Sequence, residues 1–393
     1  AVSRESIQSD LVELAKQLKI DTSDQPTQEQ IVGRCLNYLR SCEASDRLII
    51  FDNVEDINDL RGLVPTGDGL RVVVTTTNDK GWNYPDWDAI RIGVFDREKS
   101  IDYLLAVTES ADRAAADTLA DRLGDLPLAL AQAAATARNS DLSLARYLDR
   151  LDSYGGERVI RPVPGDYYTD DVATALWMAI EDTLENLVDN TKRAALHQLG
   201  ALALLAESGV PTRWLDPTFE KLYDDESHGT QRDAGEDAHD ALTELIRKSI
   251  VQQSADKATT MIHRLQAQVL RESWSKEERE QACESAAELL GSVDIDRFRA
   301  DDSDARFQET RDLIANLYSF DARDGFRHLK DYRPIMNALC QAFDHARDLG
   351  LVPEVFALKE LGNTLHEQVG DSREILSLLA KLAYADMYMG DYP

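Results

Sequence analysis

The sequence is short of several features that mark whole classes of protein. It has only four cysteines, Cys35, Cys42, Cys283 and Cys340, and no two of them form a C-x-x-C pair. Their scatter argues against both a zinc site and a disulfide framework, and the seven dispersed histidines argue against a metal centre. Such cysteine usage fits a reducing compartment, so we expect a cytoplasmic protein.

Basic charge and long apolar runs are also scarce. Lys and Arg number 43 against 72 Asp and Glu, which gives a formal net charge of −29. Self-repulsion on this scale disfavours nonspecific contact with nucleic acid, and no dense basic run is present. No stretch approaches the roughly 18 apolar residues that a membrane-spanning helix needs. We therefore expect partners that are neither membranes nor nucleic acids.

A phosphate loop of the form G-x-x-x-x-G-K-[ST] is missing as well, although a strand that usually accompanies one is present. In "LIIFDNVED", residues 48–56, an apolar run ends abruptly at Asp52. A buried parallel strand delivers a carboxylate to the end of a sheet in this way, and nucleotide-hydrolysing proteins use such an aspartate to hold magnesium. The sequence thus poses the question of what this strand does without a phosphate loop.

The first 95 residues alternate between helical and strand patterns. Apolar spacing predicts helices over 4–18 and 27–42. Strands are predicted over 47–52, over the β-branched run 71–77, and more weakly over 89–95. Strands that alternate with helices indicate a parallel α/β sheet.

The rest of the chain is mainly helical in pattern. Gly124 is expected in a left-handed C′ position, and Pro127 in the first turn of the next helix. Residues 154–170 are rich in Gly and Pro and are typical of a linker, and two helices are expected over 171–207. Helices followed by a hairpin around "SADKA", residues 254–258, are the pattern of a winged-helix domain.

From about residue 276 the sequence predicts helix after helix. Helices over 354–368 and 372–389, broken by Gly-Asp pairs, resemble the turns of an α-solenoid. The inward face of the last helix is predicted to carry four apolar residues, namely Leu376, Leu379, Leu382 and Ala383. The array stops at a turn, so we expect it to be truncated, with an apolar face left open beyond Pro393.

The order of four segments carries a resemblance to a known family. "LIIFDNVED" (48–56), "RVVVTTT" (71–77), "GDLPLAL" (124–130) and "IHRL" (262–265) follow one another as in the NB-ARC class of STAND ATPases. The chain resembles the bacterial version that ends in tetratricopeptide repeats. In that family the phosphate loop precedes the segment that matches residues 1–20. We therefore expect a fragment that begins downstream of its phosphate loop; a degenerate pseudo-ATPase is the other interpretation.

The resemblance implies a multidomain α/β plus α fold in four parts. These are a partial nucleotide-binding α/β domain with an incomplete P-loop-NTPase-type sheet, a helical domain, a linker with a winged helix, and truncated tetratricopeptide-like repeats. Their expected limits are 1–95, 96–153, 154–275 and 276–393.

The resemblance also implies roles for single residues. Asp52 would hold Mg²⁺ through water, and Thr76 and Thr77 would hydrogen-bond phosphate or its water shell. Pro127 would pack on adenine, and His263 would reach the β-phosphate of ADP. Each residue also has a plain structural interpretation: a strand-ending cap, strand filler, a helix-opening proline and a structural histidine.

Two positions depart from the family pattern. Asn53 stands where many relatives carry an acidic residue that polarises the attacking water, and an amide is a poor general base. Glu55 is an alternative base, although a solvated loop acid explains it equally simply. Thr77 stands where relatives often carry an arginine that senses the terminal phosphate. We therefore expect slow hydrolysis by the parent protein and assign no catalytic residue.

The implied function is a regulatory switch that is closed by ADP and released by ATP. ADP or ATP with Mg²⁺ would bind the intact protein, whereas this chain alone is expected to bind no cofactor and to be inactive. The helical repeats would bind a protein partner, and nucleotide-dependent self-association is left open. The alternative is a nucleotide-independent scaffold, and the acidity disfavours a DNA-binding regulator.

Overall fold

The computed structural model describes most of the chain. The described residues are 4–20, 27–41, 47–54, 56–76, 82, 87–90, 92–154, 170–216, 234–298 and 302–383. The chain divides into two compact units, Ala1–Ile92 and Gly93–Pro393, each with its own hydrophobic core. The predicted domain limits at 153 and 275 stay predictions.

The first unit contains two helices and a parallel pair of strands. They are α1 (Arg4–Gln17), α2 (Gln28–Ser41), β1 (Arg47–Phe51) and β2 (Leu70–Val74). The strands pair in register from Arg47 opposite Leu70 to Phe51 opposite Val74. The predicted helices and the first two predicted strands are thus confirmed over the described residues, and Thr75 and Thr76 follow β2 rather than extend it.

The two faces of this sheet differ in their packing. Ile49 and Val72 on one face pack, with Phe51, against apolar residues of α1 and α2. On the other face, Leu48 and Ile50 are each 58% exposed. Strands of parallel sheets are usually covered on both faces, so this sheet presents an unusually open apolar side.

The predicted strand over 89–95 is wrong for its described residues, 89–90 and 92–95. They adopt no strand conformation, and Ile90 and Ile92 are 87% and 91% exposed. Alternating apolar residues supply strand propensity, but a strand also needs a neighbouring backbone to complete its hydrogen bonds. Among the described residues, no strand pairs with this segment: the Phe95 N–H donates instead to the Asp125 carbonyl over 3.0 Å, and the parallel sheet of the first unit has two strands.

The second unit opens with six helices. They are α3 (Arg97–Thr108), α4 (Arg113–Arg122), α5 (Pro127–Asn139), α6 (Leu144–Tyr154), α7 (Asp170–Glu185) and α8 (Asp189–Leu204). Gly124 has a φ of 59° between α4 and α5, and Pro127 opens α5, as predicted. The predicted linker over 154–170 lies almost entirely outside the described residues.

A small antiparallel sheet and three helices follow. The elements are β3 (Val210–Pro211), α9 (Thr212–Leu215), α10 (Ala234–Arg247), β4 (Val251–Gln253), β5 (Thr259–Ile262) and α11 (Arg264–Ser273). The strand order is β3-β5-β4, and β4 pairs antiparallel with β5. The hairpin that the sequence predicts around residues 254–258 is therefore confirmed.

Five helices complete the described part of the chain. They are α12 (Lys276–Gly291), α13 (Ser303–Ala322), α14 (Arg333–Asp348), α15 (Val352–Val369) and α16 (Arg373–Leu382). Each of α14, α15 and α16 packs on the helix before it. Gly370, with a φ of 77°, ends α15 at the predicted Gly-Asp break. Residues 384–389, the predicted remainder of the last helix, lie outside the described residues.

The predicted inward face of α16 is partly wrong. Leu382 is buried and Leu379 packs partly against the core, but Leu376 is 50% exposed and Ala383 is also exposed. The buried residues are instead Ile375, Leu378 and Leu382, whose i, i+3, i+7 spacing defines one helical stripe. Leu376 and Ala383 each follow a stripe residue by one position and so lie to one side of it.

One continuous core joins the helices of the second unit, from Ile101 in α3 to Leu382 in α16. None of the helices in the described part of the chain combines the length and the apolar character that a bilayer crossing needs.

Candidate functional site

In the first unit, the candidate site lies where the two parallel strands end. Asp52 follows β1 and Thr75 follows β2, so the parallel register sets them side by side. The Thr75 hydroxyl donates to Oδ1 of Asp52 over 2.5 Å and accepts from the backbone N–H of Asn53 over 2.8 Å. This pair of bonds fixes the orientation of the Asp52 carboxylate at the exposed edge of the sheet.

The backbone at this edge turns sharply. Asn53 has a φ of 55°, a left-handed conformation that asparagine tolerates better than most residues. The Val54 N–H donates to the Thr75 carbonyl over 2.9 Å, and the Thr75 N–H donates to the Phe51 carbonyl over 3.0 Å. The backbone hydrogen bonds between the two chain segments thus continue past the last residues of the strands. Asn53 forms the turn that follows β1, which is a local structural role.

The chemistry available at this edge is that of hard oxygen ligands. The carboxylate of Asp52 and the hydroxyls of Thr75 and Thr76 are all exposed and are ligands suited to Mg²⁺ or to its water shell. No cluster of three or more His, Cys, Asp or Glu residues within the described ranges could hold a metal ion directly. Thr77 and Glu55, the other predicted residues here, lie outside the described residues.

Pro127 occupies the N-terminus of α5 in the second unit. Leu126 is the N-cap residue and no side chain caps the helix there. Proline costs nothing at this position because the first N–H groups of a helix have no intrahelical partner. The Pro127 ring is half-buried, so part of its apolar surface lies open at the helix N-terminus.

His263 also lies at the start of a helix. It is the N-cap of α11, and its Nδ1 accepts a hydrogen bond from the backbone N–H of Leu265 over 3.1 Å. An accepting Nδ1 places the proton of the neutral ring on Nε2, which leaves Nε2–H as a donor. Desolvation, and then the charge of Arg264, lowers the pKa of His263 although its side chain is exposed, and Glu207 partly opposes this.

Two arginines, Arg271 and Arg323, interact with Glu207, the same carboxylate that acts on His263. Arg271 donates from Nη1 to the Ala203 carbonyl over 2.6 Å, and burial together with the charge of Arg323 lowers its pKa to about 10. Arg323 pairs with Glu207 at 3.3 Å, and burial lowers its pKa as well. His263, Arg271 and Arg323 all interact with the carboxylate of Glu207, and Glu272 also acts on Arg271, so acidic groups balance the cations of this corner.

The predicted residues therefore fall into two groups. Asp52 and Thr76 belong to the first unit, whereas Pro127 and His263 belong to the second. The resemblance implies that all four contact the same nucleotide, and this stays a prediction. Of the three threonines at the end of the second predicted strand, the sequence analysis assigned phosphate contacts to Thr76 and Thr77 and not to Thr75. Aligning the two strands would have identified Thr75 as the neighbour of Asp52.

The comparisons with known proteins identify no family. No protein-family model matches the chain, and no curated protein matches it. The resemblance to the NB-ARC class therefore rests on the order and spacing of the four segments alone.

Proposed function

We propose that the chain is the part of an ATP/ADP-dependent STAND-type signalling switch that follows the phosphate loop. ADP would hold the α/β unit, the helical domain and a winged helix together, and exchange for ATP would release them. The winged helix would be formed by α8, α10, α11 and the β3-β5-β4 sheet. The switch would act in the cytoplasm.

The observation that carries the proposal is the carboxyl edge of the β1–β2 pair. Nucleotides bind at the carboxyl ends of strands in open parallel sheets, and there Asp52 stands with Thr75 and Thr76. Asp52 would hold Mg²⁺ through water, while the threonine hydroxyls would bind phosphate oxygens or their water shell.

His263 and Pro127 support the second half of the proposal. The Nε2–H of His263 is a donor suited to a phosphate oxygen, and the neighbouring charge of Arg264 adds positive potential there. Pro127 would pack on the adenine ring. A contact between His263 and ADP that exists only in the closed form would give the nucleotide a differential affinity of a few kcal/mol for that form.

The C-terminal helices α12 to α16 would supply the sensing surface. Repeats of this kind bind protein partners along an extended face, and a nucleotide-driven change upstream would alter their presentation. Nucleotide-dependent self-association would follow from the same change.

A nucleotide-independent scaffold is the second candidate, and two observations favour it. The Asp52 carboxylate already has a structural partner in Thr75, and His263 already has a structural task as the cap of α11. Asn53 adds to this, because an amide at the strand end cannot act as a general base.

Calorimetry with ATP and ADP in the presence of Mg²⁺ separates the two candidates. The chain alone should bind either nucleotide weakly or not at all, because phosphate affinity comes mainly from a phosphate loop. A longer chain that includes the upstream phosphate loop should bind both, and Asp52→Ala in it should mainly remove the Mg²⁺ dependence. Low-micromolar binding by the chain alone would overturn the fragment interpretation, and no binding by the longer chain would favour the scaffold.

A further inference from the structure

A polar cleft in the second unit is lined by neither Pro127 nor His263. It has a volume of about 860 Å³, which is within the range of small-molecule sites. Its walls are the C-terminal ends of α5 and α7, the start of α8, and the C-terminal half of α10. Asn139 lies at one end of α5 and Pro127 at the other, about 18 Å apart for a helix of this length. The cleft is therefore distinct from the adenine contact proposed for Pro127.

Two of the carboxylates that line the cleft are neutralised by arginines of the same unit. Asp182 accepts from Arg150 over 2.6 Å and from the Ser140 hydroxyl over 2.8 Å. Glu244 accepts three hydrogen bonds from Arg247: Nε donates to Oε1 over 3.1 Å and to Oε2 over 3.0 Å, and Nη2 donates to Oε2 over 2.6 Å. Each carboxylate oxygen still has room to accept from a ligand hydroxyl.

Lys248 has no such partner. It lines the cleft, and within the described part of the chain its ammonium group forms neither a hydrogen bond nor an ion pair. Burial lowers its pKa, as does the neighbouring charge of Arg247, while Asp182 and Glu244 act in the opposite direction. A half-buried ammonium without a partner is costly, and an anionic group in the cleft would supply the missing acceptor.

The N-terminus of α8 also favours an anion in the cleft. Val188 is its N-cap residue and lines the cleft, but no side chain caps the helix. The hydroxyl of Thr191, in the first turn, is turned to Asp237 at 3.3 Å. The free N–H groups of this first turn add positive potential to the same cleft that contains Lys248.

The remaining lining is rich in groups that bind hydroxyls. It includes the amides of Asn139 and Asn186 and the hydroxyl of Thr243, and none of the described residues that line it is an aromatic on which a nucleobase could stack. We propose that the cleft binds a small polyhydroxylated anion, a sugar acid or a sugar phosphate. Its anionic group lies at Lys248, and its hydroxyls face the amides and carboxylates of α5, α7 and α10.

Calorimetry on the whole chain tests this with three matched probes. Gluconate represents the sugar acid, glucose 6-phosphate the sugar phosphate, and sorbitol the same polyol without charge. At least one anion should bind saturably with one site per chain, and sorbitol should bind at least about tenfold more weakly, because a charged hydrogen bond contributes that much. The net charge of −29 repels anions in general, so saturable binding indicates a local site.

Two lysine variants locate the site. Lys248→Met keeps the aliphatic stem and should weaken binding of the anion at least about tenfold. Lys192→Met removes the same charge from α8 next to Thr191, outside the cleft lining, and should leave binding within about twofold. If Lys248→Met does not fold, the comparison of gluconate and glucose 6-phosphate with sorbitol on the unaltered chain still decides.

The outcomes divide cleanly. Binding of gluconate alone identifies a sugar acid, of glucose 6-phosphate alone a sugar phosphate, and of both the shared chemistry. The proposal is overturned if neither anion binds at millimolar concentration, if sorbitol binds as tightly as the anions, or if Lys248→Met binds like the unaltered chain. None of these outcomes depends on whether the protein binds nucleotides.

Discussion

The two units differ in how completely their secondary structure is covered. In the second, a single core runs from α3 to α16, and side chains such as Phe320 and Phe326 are fully buried. In the first, the core lies under one face of a two-stranded sheet, and Leu48 and Ile50 on the other face are largely exposed. Helices bury their apolar stripes against neighbours in sequence, whereas parallel strands depend on distant segments to cover both faces.

The largest effect that would sharpen this comparison is expected at Phe320 in α13. Its ring lies 5.6 Å from that of Phe326, edge to face, and Gly325 lies so close that an added Cβ would be 2.4 Å from the ring. Phe320→Ala should lower the free energy of unfolding by about 3–5 kcal/mol, because a buried cavity results. Urea denaturation followed by circular dichroism measures this. Tyr318→Ala, on the exposed side of the same helix, is the control, and equal losses in both variants would contradict the packing described.

A buried charge in the same unit gives the next effect. Glu309 is 1% exposed, pairs with Arg213, and accepts from Nε1 of Trp214 over 2.8 Å. Glu309→Ala should cost about 3 kcal/mol, because it leaves the Arg213 charge without its buried partner. The matched control is Glu288→Ala, which removes an exposed carboxylate near His197 and should cost less than about 1 kcal/mol. Denaturation midpoints that shift equally in the two variants would refute this ranking.

In the sheet of the first unit, substitutions on one face only should lower the stability. Ile49→Ala should lower stability by about 1–2 kcal/mol, because Ile49 packs partly against the core. Ile50→Ala should change it by less than about 0.5 kcal/mol, since Ile50 is mostly in water. Hydrogen exchange of β1 amides reports on this unit alone. A loss on changing Ile50 as large as that for Ile49 would show that the open face is covered in solution.

A pH-dependent contribution of about 1 kcal/mol is expected at the start of α3. Arg97 donates from Nε and Nη2 to the two oxygens of Asp125, each over 3.0 Å, and this lowers the pKa of Asp125. Because the folded pKa lies below the unfolded value near 3.9, the contribution is complete above that value and is lost as pH falls through the folded pKa. The effect is small because Arg97 is partly exposed.

The variant Arg97→Met tests this contribution. Its stability should fall short of that of the unaltered chain at pH 7, and the gap should close as the solution is acidified below about pH 4. Lys99→Met, on the exposed side of the same helix, serves as the control. A gap that stays constant down to pH 2 would mean that the Asp125 pair does not cause it.

Local signals predicted most of the second unit and less of the first. Gly124 and Gly370 end helices at a positive φ, which glycine adopts readily and the local sequence can therefore specify, and Pro127 opens a helix for a similar local reason. The strand predicted over 89–95 is wrong in its described residues, because strand propensity cannot reveal whether a partner strand is present. The prediction that Leu376 is buried is wrong, because the neighbouring stripe that contains Ile375 and Leu378 packs against the core instead.

The sequence allowed the residues of the candidate site to be predicted, but not the contacts that they make. The sequence pointed to Asp52 from the abrupt end of an apolar run, yet its bond to Thr75 depends on the register of two strands that are separated by 18 residues of chain. The sequence also pointed to His263, while its role as the cap of α11 emerged only from the backbone geometry.

That cap allows the structural and nucleotide roles of His263 to be separated. His263→Ala should cost about 1 kcal/mol in stability, because the Leu265 N–H loses its acceptor. His263→Asn should retain most of this stability, because asparagine is a favourable N-cap residue. Thermal unfolding of the two variants provides the reference for the nucleotide measurement.

The retention of ADP by a longer chain that includes the phosphate loop tests the central claim most directly. The claim is that His263 contacts ADP only in a closed state. His263→Asn, which keeps the cap, should then weaken ADP retention about tenfold and ATP binding much less, because the two nucleotides favour different states. Equal loss of both nucleotides, or no loss of either, would contradict the claim and leave His263 as the cap of α11 alone.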